Sequence, residues 1–361
     1  MNRDRIGLNF MRPDVGRPGH HDFVHSGEWL VSQFVELGVK WNRVAFSWVH
    51  VQPERGVFDW SAYDRVVDAN AKAGIEILAT LGGHFDRPPV PAWAGKTLAE
   101  VIEKHPEHLE AFIEAWVRRY RTRIRHWEML NEPRTHHEGM TVASYVEGIL
   151  KPGYGIVKAV DPSLLVLPCA FDQLPVQGDK EVFWEKGRQF CDIHNLHHYQ
   201  DWGLFRTDPG AAREESSIRK FREAMDAHGE GAKPFWITEI GWWGTGSLDG
   251  KNEFYRKDPF TYQEYRPSYT GREIIDHPVV AREDALRAEW MKDVFPRVLG
   301  IPGCEKAFLW VSLDEFEGGF DPAKTYGKEG ERRVDLWGII AGDRSWRKSA
   351  HSFKQILAQN G

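Results

Sequence analysis

"WNRVAFSWVHVQPERGVFDWSAYDRVVDANAKAGIEILATLGG", residues 41–83, contains one full turn of the repeating pattern that decides the fold. Two β-rich apolar runs, "WNRVAFSW" (41–48) and "IEILATLGG" (75–83), flank a segment of helical period. In that segment Tyr63, Val66, Val67 and Asn70 recur at i, i+3, i+4 and i+7. Ser61 can cap the helix and Gly74 closes it. Strand, helix and strand in so short a span make a βαβ unit, whose two strands lie parallel.

The same cycle extends in both directions. Further apolar runs are "RIGLNF" (5–10), "RHWEMLNE" (125–132), "LLVLPCAF" (164–171), "CDIHNLHHY" (191–199), "PFWITEIGW" (234–242) and "KAFLWVSL" (306–313). Helical patterns lie between them, with Leu30, Phe34 and Leu37 on one face after Ser26, and Phe112, Trp116 and Tyr120 on another. The last helix presents Phe353, Ile356 and Leu357. Eight strands alternating with helices predict an α/β fold, a (β/α)₈ barrel, as a single catalytic domain over 1–361. A doubly wound open sheet would carry G-x-G-x-x-G after its first strand, and "IGLNFMRPDVG" stands there instead.

Hydrophobic residues make up 41% of the chain and charged residues 28%, as in soluble globular proteins. The net charge of −6 argues against nucleic acid as a partner. No segment is apolar enough to span a membrane, and "MNRDRIGLNF" has no signal-peptide core. A cytoplasmic location is therefore expected, although a secreted chain trimmed of its leader would read identically. Cys169 and Cys191 sit in apolar runs and read as small buried hydrophobes. Sixteen tryptophans give much flat, amphipathic surface.

In a (β/α)₈ barrel the active site is built at the C-terminal ends of the strands. "HWEMLNEPRTHH" (126–137) and "WITEIGWW" (236–243) each end an apolar run in a carboxylate, Glu132 and Glu239. Strands four and seven face each other across the barrel, so both can reach one cleft. Half of an ion pair is the bland reading of either residue. Two at one rim are what glycosidic bond cleavage needs: one carboxylic acid to protonate the leaving oxygen and one carboxylate to attack. Gly241 is expected to let the backbone turn beside Trp242 and Trp243. Glu128 shares parity with Glu132 and should also face inward, where Arg43 can pair with it.

"WEMLNEP" followed by "WITEIGW" resembles clan A of the glycoside hydrolases, retaining (β/α)₈ enzymes. The stretch 41–83 is similar to the second and third units of families 5, 10 and 39. "FCDIHNLHHY" is similar to the sixth strand of family 39, and "LWGIIAGDRSWRKSAHSFKQIL" to the terminal segment of several clan A families. The resemblance implies Glu132 as acid/base, Glu239 as nucleophile and Asn131 as the donor to the sugar 2-hydroxyl. It further implies that Tyr199 donates to Glu239, that Arg43 lies beneath the nucleophile, and that Trp310 forms an aromatic floor. The function implied is a retaining glycoside hydrolase cleaving β-glycosidic bonds of an oligo- or polysaccharide. A transglycosylase of the same fold and a catalytically inactive sugar-binding barrel are the alternatives.

Beside these, His84 and His197 read as donors to sugar hydroxyls, and His194 as a core histidine. Trp48 and Trp242 would extend the aromatic platform, with Trp93, Trp202 and Trp243. A histidine-rich metal site is disfavoured because "RIGLNF" lacks His-x-His, so neither metal nor organic cofactor is expected. The segment 244–277 has no clear period and follows Glu239, so it reads as a long loop over the active-site face. It would shape the substrate cleft or contact a second copy of the chain.

Overall fold

The computed structural model describes residues 3–10, 27–82, 89–133, 137–170, 177–201, 213–243, 269–316, 320–326 and 334–359. Its central element is a sheet of eight parallel strands: β1 (Ile6–Phe10), β2 (Trp41–Phe46), β3 (Glu76–Leu81), β4 (His126–Glu128), β5 (Leu165–Leu167), β6 (His194–Asp201), β7 (Phe235–Trp243) and β8 (Cys304–Trp310). β1 pairs with both β2 and β8, and the spatial order follows the chain round to β5 on one side and β6 on the other. Asp192, just ahead of β6, closes that gap. Its N–H donates to the Val166 carbonyl at 2.9 Å, and its carboxylate accepts from the Val166 N–H at 2.8 Å. The molecule is a (β/α)₈ barrel.

The βαβ unit forms as its sequence directs. β2 and β3 pair in register from Trp41↔Glu76 to Phe46↔Leu81. The helix Ser61–Ala73 buries Tyr63, Val66, Val67 and Asn70, and ends at Gly74 with φ 63°. That left-handed backbone suits glycine, which has no Cβ to clash. Ser61 is the first helical residue and not the cap. Its N–H and hydroxyl both donate to the Asp59 carboxylate.

Inward-facing side chains grade from apolar to polar along the barrel axis. At the N-terminal end Trp41, Leu78, Ile193, Trp236 and Phe308 pack together, with Trp41 set edge-on to Trp236 at 5.2 Å. The Lys306 ammonium lies 4.1 Å from the Trp41 ring centre. One layer higher come Arg43, Thr80, Glu128, Asn195 and Thr238, all buried. The layer above holds Asn131, Glu132, His197 and Glu239, also buried. An apolar base under a charged layer lowers the local dielectric and strengthens the electrostatic contacts above it.

The expected loop 244–277 falls mainly outside the described residues. Its last part is ordered structure: Tyr269–Thr270 pairs with Thr325–Tyr326, and a short helix, Gly271–Ile275, follows with a Thr270/Glu273 capping box. Among the described residues no helix is long and apolar enough to cross a membrane.

Candidate active site

Two backbone irregularities deliver the glutamates. β4 ends at Glu128, four residues earlier than "RHWEMLNE" suggests. Leu130 (φ 86°) and Glu132 (φ 37°) then take left-handed conformations, unusual for residues with a side chain. The turn brings two neighbours, Asn131 and Glu132, to the rim together, which strand alternation would forbid. Across the barrel, the pairing of β6 with β7 slips between Leu196↔Ile237 and His197↔Glu239. The extra residue is Thr238, so Thr238 and Glu239 both reach inward, Thr238 to Glu128 and Glu239 to the rim. Bulges that re-aim a side chain are common beside active sites.

Arg43 ties the layers together. Its Nε donates to Glu128 at 2.6 Å and its Nη2 to Asn131 Oδ1 at 2.7 Å. Its Nη1 donates to Asn9 Oδ1 at 2.9 Å and to Glu239 Oε1 at 2.6 Å. The fork of a guanidinium can serve four acceptors in this way and an ammonium cannot. Because Asn131 accepts through Oδ1, its amide NH₂ remains a donor for other groups. Tyr199 donates its hydroxyl to Glu239 Oε2. His197 Nδ1 lies 2.7 Å from Glu132 Oε1 and 3.5 Å from Glu239 Oε2. One atom from each of Glu132, His197 and Glu239 falls within 4.8 Å of the other two.

Electrostatics follow from this contact map. Burial opposes the charge on Arg43, yet the attraction of Glu128 and then Glu239 outweighs it and raises the pKa. Burial likewise opposes the charge on Glu128, and Arg43, His197 and Thr80 together pull its pKa below the usual carboxylate range. For His197 burial is overcome by Glu239 and Glu132, and the pKa rises to about 9. Burial and the Glu239 charge push the Tyr199 pKa well up, so its hydroxyl stays a donor.

The glycoside hydrolase family 42 model, described as "Beta-galactosidase", matches residues 26–131. "Endo-1,4-beta-xylanase 1" of Gibberella zeae is 30% identical over 127 residues, 33% of this chain and 34% of that protein. "Beta-galactosidase BglY" of Alicyclobacillus acidocaldarius is 33% identical over 106 residues, 25% of this chain and 15% of that protein. The alignment thus spans about a third or less of these relatives' length. In fold, the family 39 glycoside hydrolase from Bacteroides cellulosilyticus WH2 covers 99% of this chain and 64% of its own, at TM-score 0.57 and 16% identity. The exo-beta-1,4-mannosidase Op5Man5 from Opitutaceae bacterium strain TAV5 covers 98% and 59%, at TM-score 0.64 and 15% identity.

The chain is similar to clan A glycoside hydrolases.

Against a clan A site the other expected residues divide clearly. Trp310 is 8% exposed and lines the cleft with Phe10, Gly82, Asn131 and Glu239. Trp48 does not reach it. Ser47 caps a helical turn that starts at Trp48, so the indole packs against Phe112 at 5.6 Å and donates to Gln52 at 2.9 Å. Trp48 is core. His197 was expected on sugar hydroxyls but stands between the two glutamates, completely buried. Gly241 is no turn: it lies within β7, and a Cβ there would meet the Tyr199 ring at 2.5 Å. His84, Trp202 and the side chain of Trp242 lie outside the described residues, as does that of Trp243. His194 contacts Glu230 at 3.1 Å, and burial lowers its pKa to about 4.

Sequence reading passed over Asn9, Thr80, Asn195 and Thr238, which complete the buried network. Asn195 donates to Glu128 at 2.6 Å, and Thr238 to Glu128 at 3.0 Å and to Asn195 at 2.7 Å. A polar residue inside an otherwise apolar strand was the available signal. Two side-chain groups have metal-like spacing among the described residues: Glu132, His197 and Glu239 in the site, and His105, Glu107 and His108 on the surface. In the first, the guanidinium of Arg43 on Glu239 and a charged His197 between the two glutamates would repel a cation.

Proposed function

We propose that the protein is a retaining glycoside hydrolase acting on a β-linked carbohydrate, with Glu239 as nucleophile and Glu132 as acid/base. The closeness of the two carboxyl groups carries this reading: their nearest oxygens lie within 4.8 Å. Retaining enzymes hold them about 5–5.5 Å apart, whereas inverting enzymes need roughly 6.5–9.5 Å to seat a water.

The contacts support this division of roles. Glu128, Glu132 and Glu239 face two cations, Arg43 and His197. Arg43 and other donors hold Glu128 as a carboxylate, and Glu239 accepts from Arg43 and Tyr199. Glu132, 2.7 Å from His197 Nδ1, is left for the acid/base role. As the glycosidic bond breaks, Glu132 protonates the leaving oxygen while Glu239 Oε attacks the anomeric carbon. Water, deprotonated by Glu132, then releases the sugar. Asn131 presents its amide to the 2-hydroxyl, a contact that strengthens as positive charge grows on the ring. Trp310 gives an apolar face on which C–H groups can rest.

A panel of aryl β-glycosides, assayed with EDTA present, tests this directly. Turnover of at least one sugar that survives chelation is expected. Turnover of none would leave a binding barrel, and loss on chelation would point to a metal enzyme.

A further inference from the structure

The mechanism makes no use of a buried ionic network behind the rim, between the helix Pro278–Leu299 and the segment after β8. Arg287 donates through Nη1 to the Trp337 carbonyl at 2.6 Å, and through Nη2 to the Gly338 carbonyl at 2.7 Å. Asp284 accepts from Arg287 at 2.8 Å and from the Ser349 N–H at 3.1 Å. From the other side, Asp314 accepts from the Gly338 N–H at 3.0 Å and pairs with Arg347. Gly338 is squeezed into this grip: a Cβ would meet the Asp314 nitrogen at 2.1 Å and the Leu313 carbonyl carbon at 2.3 Å. Arg287 and Asp314, both buried and held in turn by Asp284 and Arg347, thus fix two consecutive peptide groups.

What they fix is Trp337. Its half-buried indole meets the Tyr199 ring edge-on, with centres 6.0 Å apart and planes at 77°. Gly241 of β7 also lies against that ring, and its missing Cβ makes room for it. Tyr199 therefore packs against both Gly241 and Trp337, with its hydroxyl on Glu239.

Building on the proposed hydrolase reading, we propose that Trp337 is a positioning residue for the nucleophile. Anchored by Arg287, it braces Tyr199 so that the phenol keeps its hydrogen bond to Glu239. Edge-to-face aromatic pairs are strong enough for the loss of this brace to lower kcat/KM roughly 3- to 10-fold.

The experiment is a double-mutant cycle with Trp337→Ala and Tyr199→Phe, read as kcat and KM separately on an aryl glycoside that the wild type cleaves. Trp337→Ala should act mainly on kcat, because Glu239 is then less firmly held for attack by the Tyr199 hydroxyl. Trp337→Phe, which keeps an aromatic edge, should restore most of the rate. In the Tyr199→Phe background, Trp337→Ala should add little. A wild-type rate in Trp337→Ala overturns the proposal. So does a loss that multiplies in full with Tyr199→Phe, or one that falls on KM alone, since either means Trp337 acts on the sugar directly. Should Trp337→Ala fold poorly, Trp337→Leu enters the same cycle. A wild type that cleaves no glycoside sinks the hydrolase reading and this brace together, whereas an active wild type with an indifferent Trp337 sinks the brace alone.

Discussion

Replacing His197 by Gln removes a buried charge whose effect on stability can be worked out in advance. The folded protein holds the imidazole proton up to about pH 9, because Glu239 and Glu132 outweigh the burial of the ring. The unfolded chain releases it near 6.5, the ordinary value. Between those limits the native state binds more protons, so stability must fall as pH rises. The contribution is complete below about pH 6.5 and gone above about 9. The gap corresponds to an upper bound of about 3 kcal/mol, and the slope to at most about 1.4 kcal/mol per pH unit. Urea unfolding of the wild type and His197→Gln at steps from pH 6 to 9.5 measures it. The wild type should lose up to about 3 kcal/mol more than the variant across that window. Parallel curves would refute the claim that a charged imidazole bridges the glutamates.

Two further substitutions probe the partition of roles. Glu132→Ala should spare aryl glycosides whose leaving group needs no proton and slow poor leaving groups by roughly 10²–10⁴-fold; equal losses on both would contradict the acid role. Gly241→Ala puts a methyl group 2.5 Å from a Tyr199 ring carbon and should push the phenol off Glu239. Losing a hydrogen bond to a charged group is worth about 1.5–3 kcal/mol, so kcat should drop roughly 10- to 150-fold with the fold intact. An unchanged kcat in Gly241→Ala would mean that the Tyr199 contact does not hold the nucleophile.

Periodicity and composition were enough to read the barrel, because each βαβ unit advertises itself locally: Tyr63, Val66 and Val67 face the core because no other register buries them. The two glutamates were legible for a related reason, since a carboxylate at the end of an apolar run stands out. The means of their delivery was hidden. The left-handed backbone at Leu130 and Glu132 and the slip at Thr238 are departures from strand geometry, and a parity argument assumes that none occur. His197 was misplaced because a residue's distance from a partner on another strand depends on that slip. Trp48 misled because an aromatic residue just past a strand reads alike whether the chain runs on or turns, and Ser47 turns it into the core. Trp337 and Arg287 could not be matched at all, since their contact joins a helix to a segment some fifty positions away.

The account rests on Glu239 as the attacking group, and one measurement meets that directly: turnover of an aryl β-glycoside by Glu239→Ala with sodium azide, followed by NMR of the product. The small anion should enter the space left by the carboxylate, restore turnover, and give the α-glycosyl azide by a single displacement. A β-glycosyl azide, or undiminished hydrolysis without azide, would show that another residue is the nucleophile.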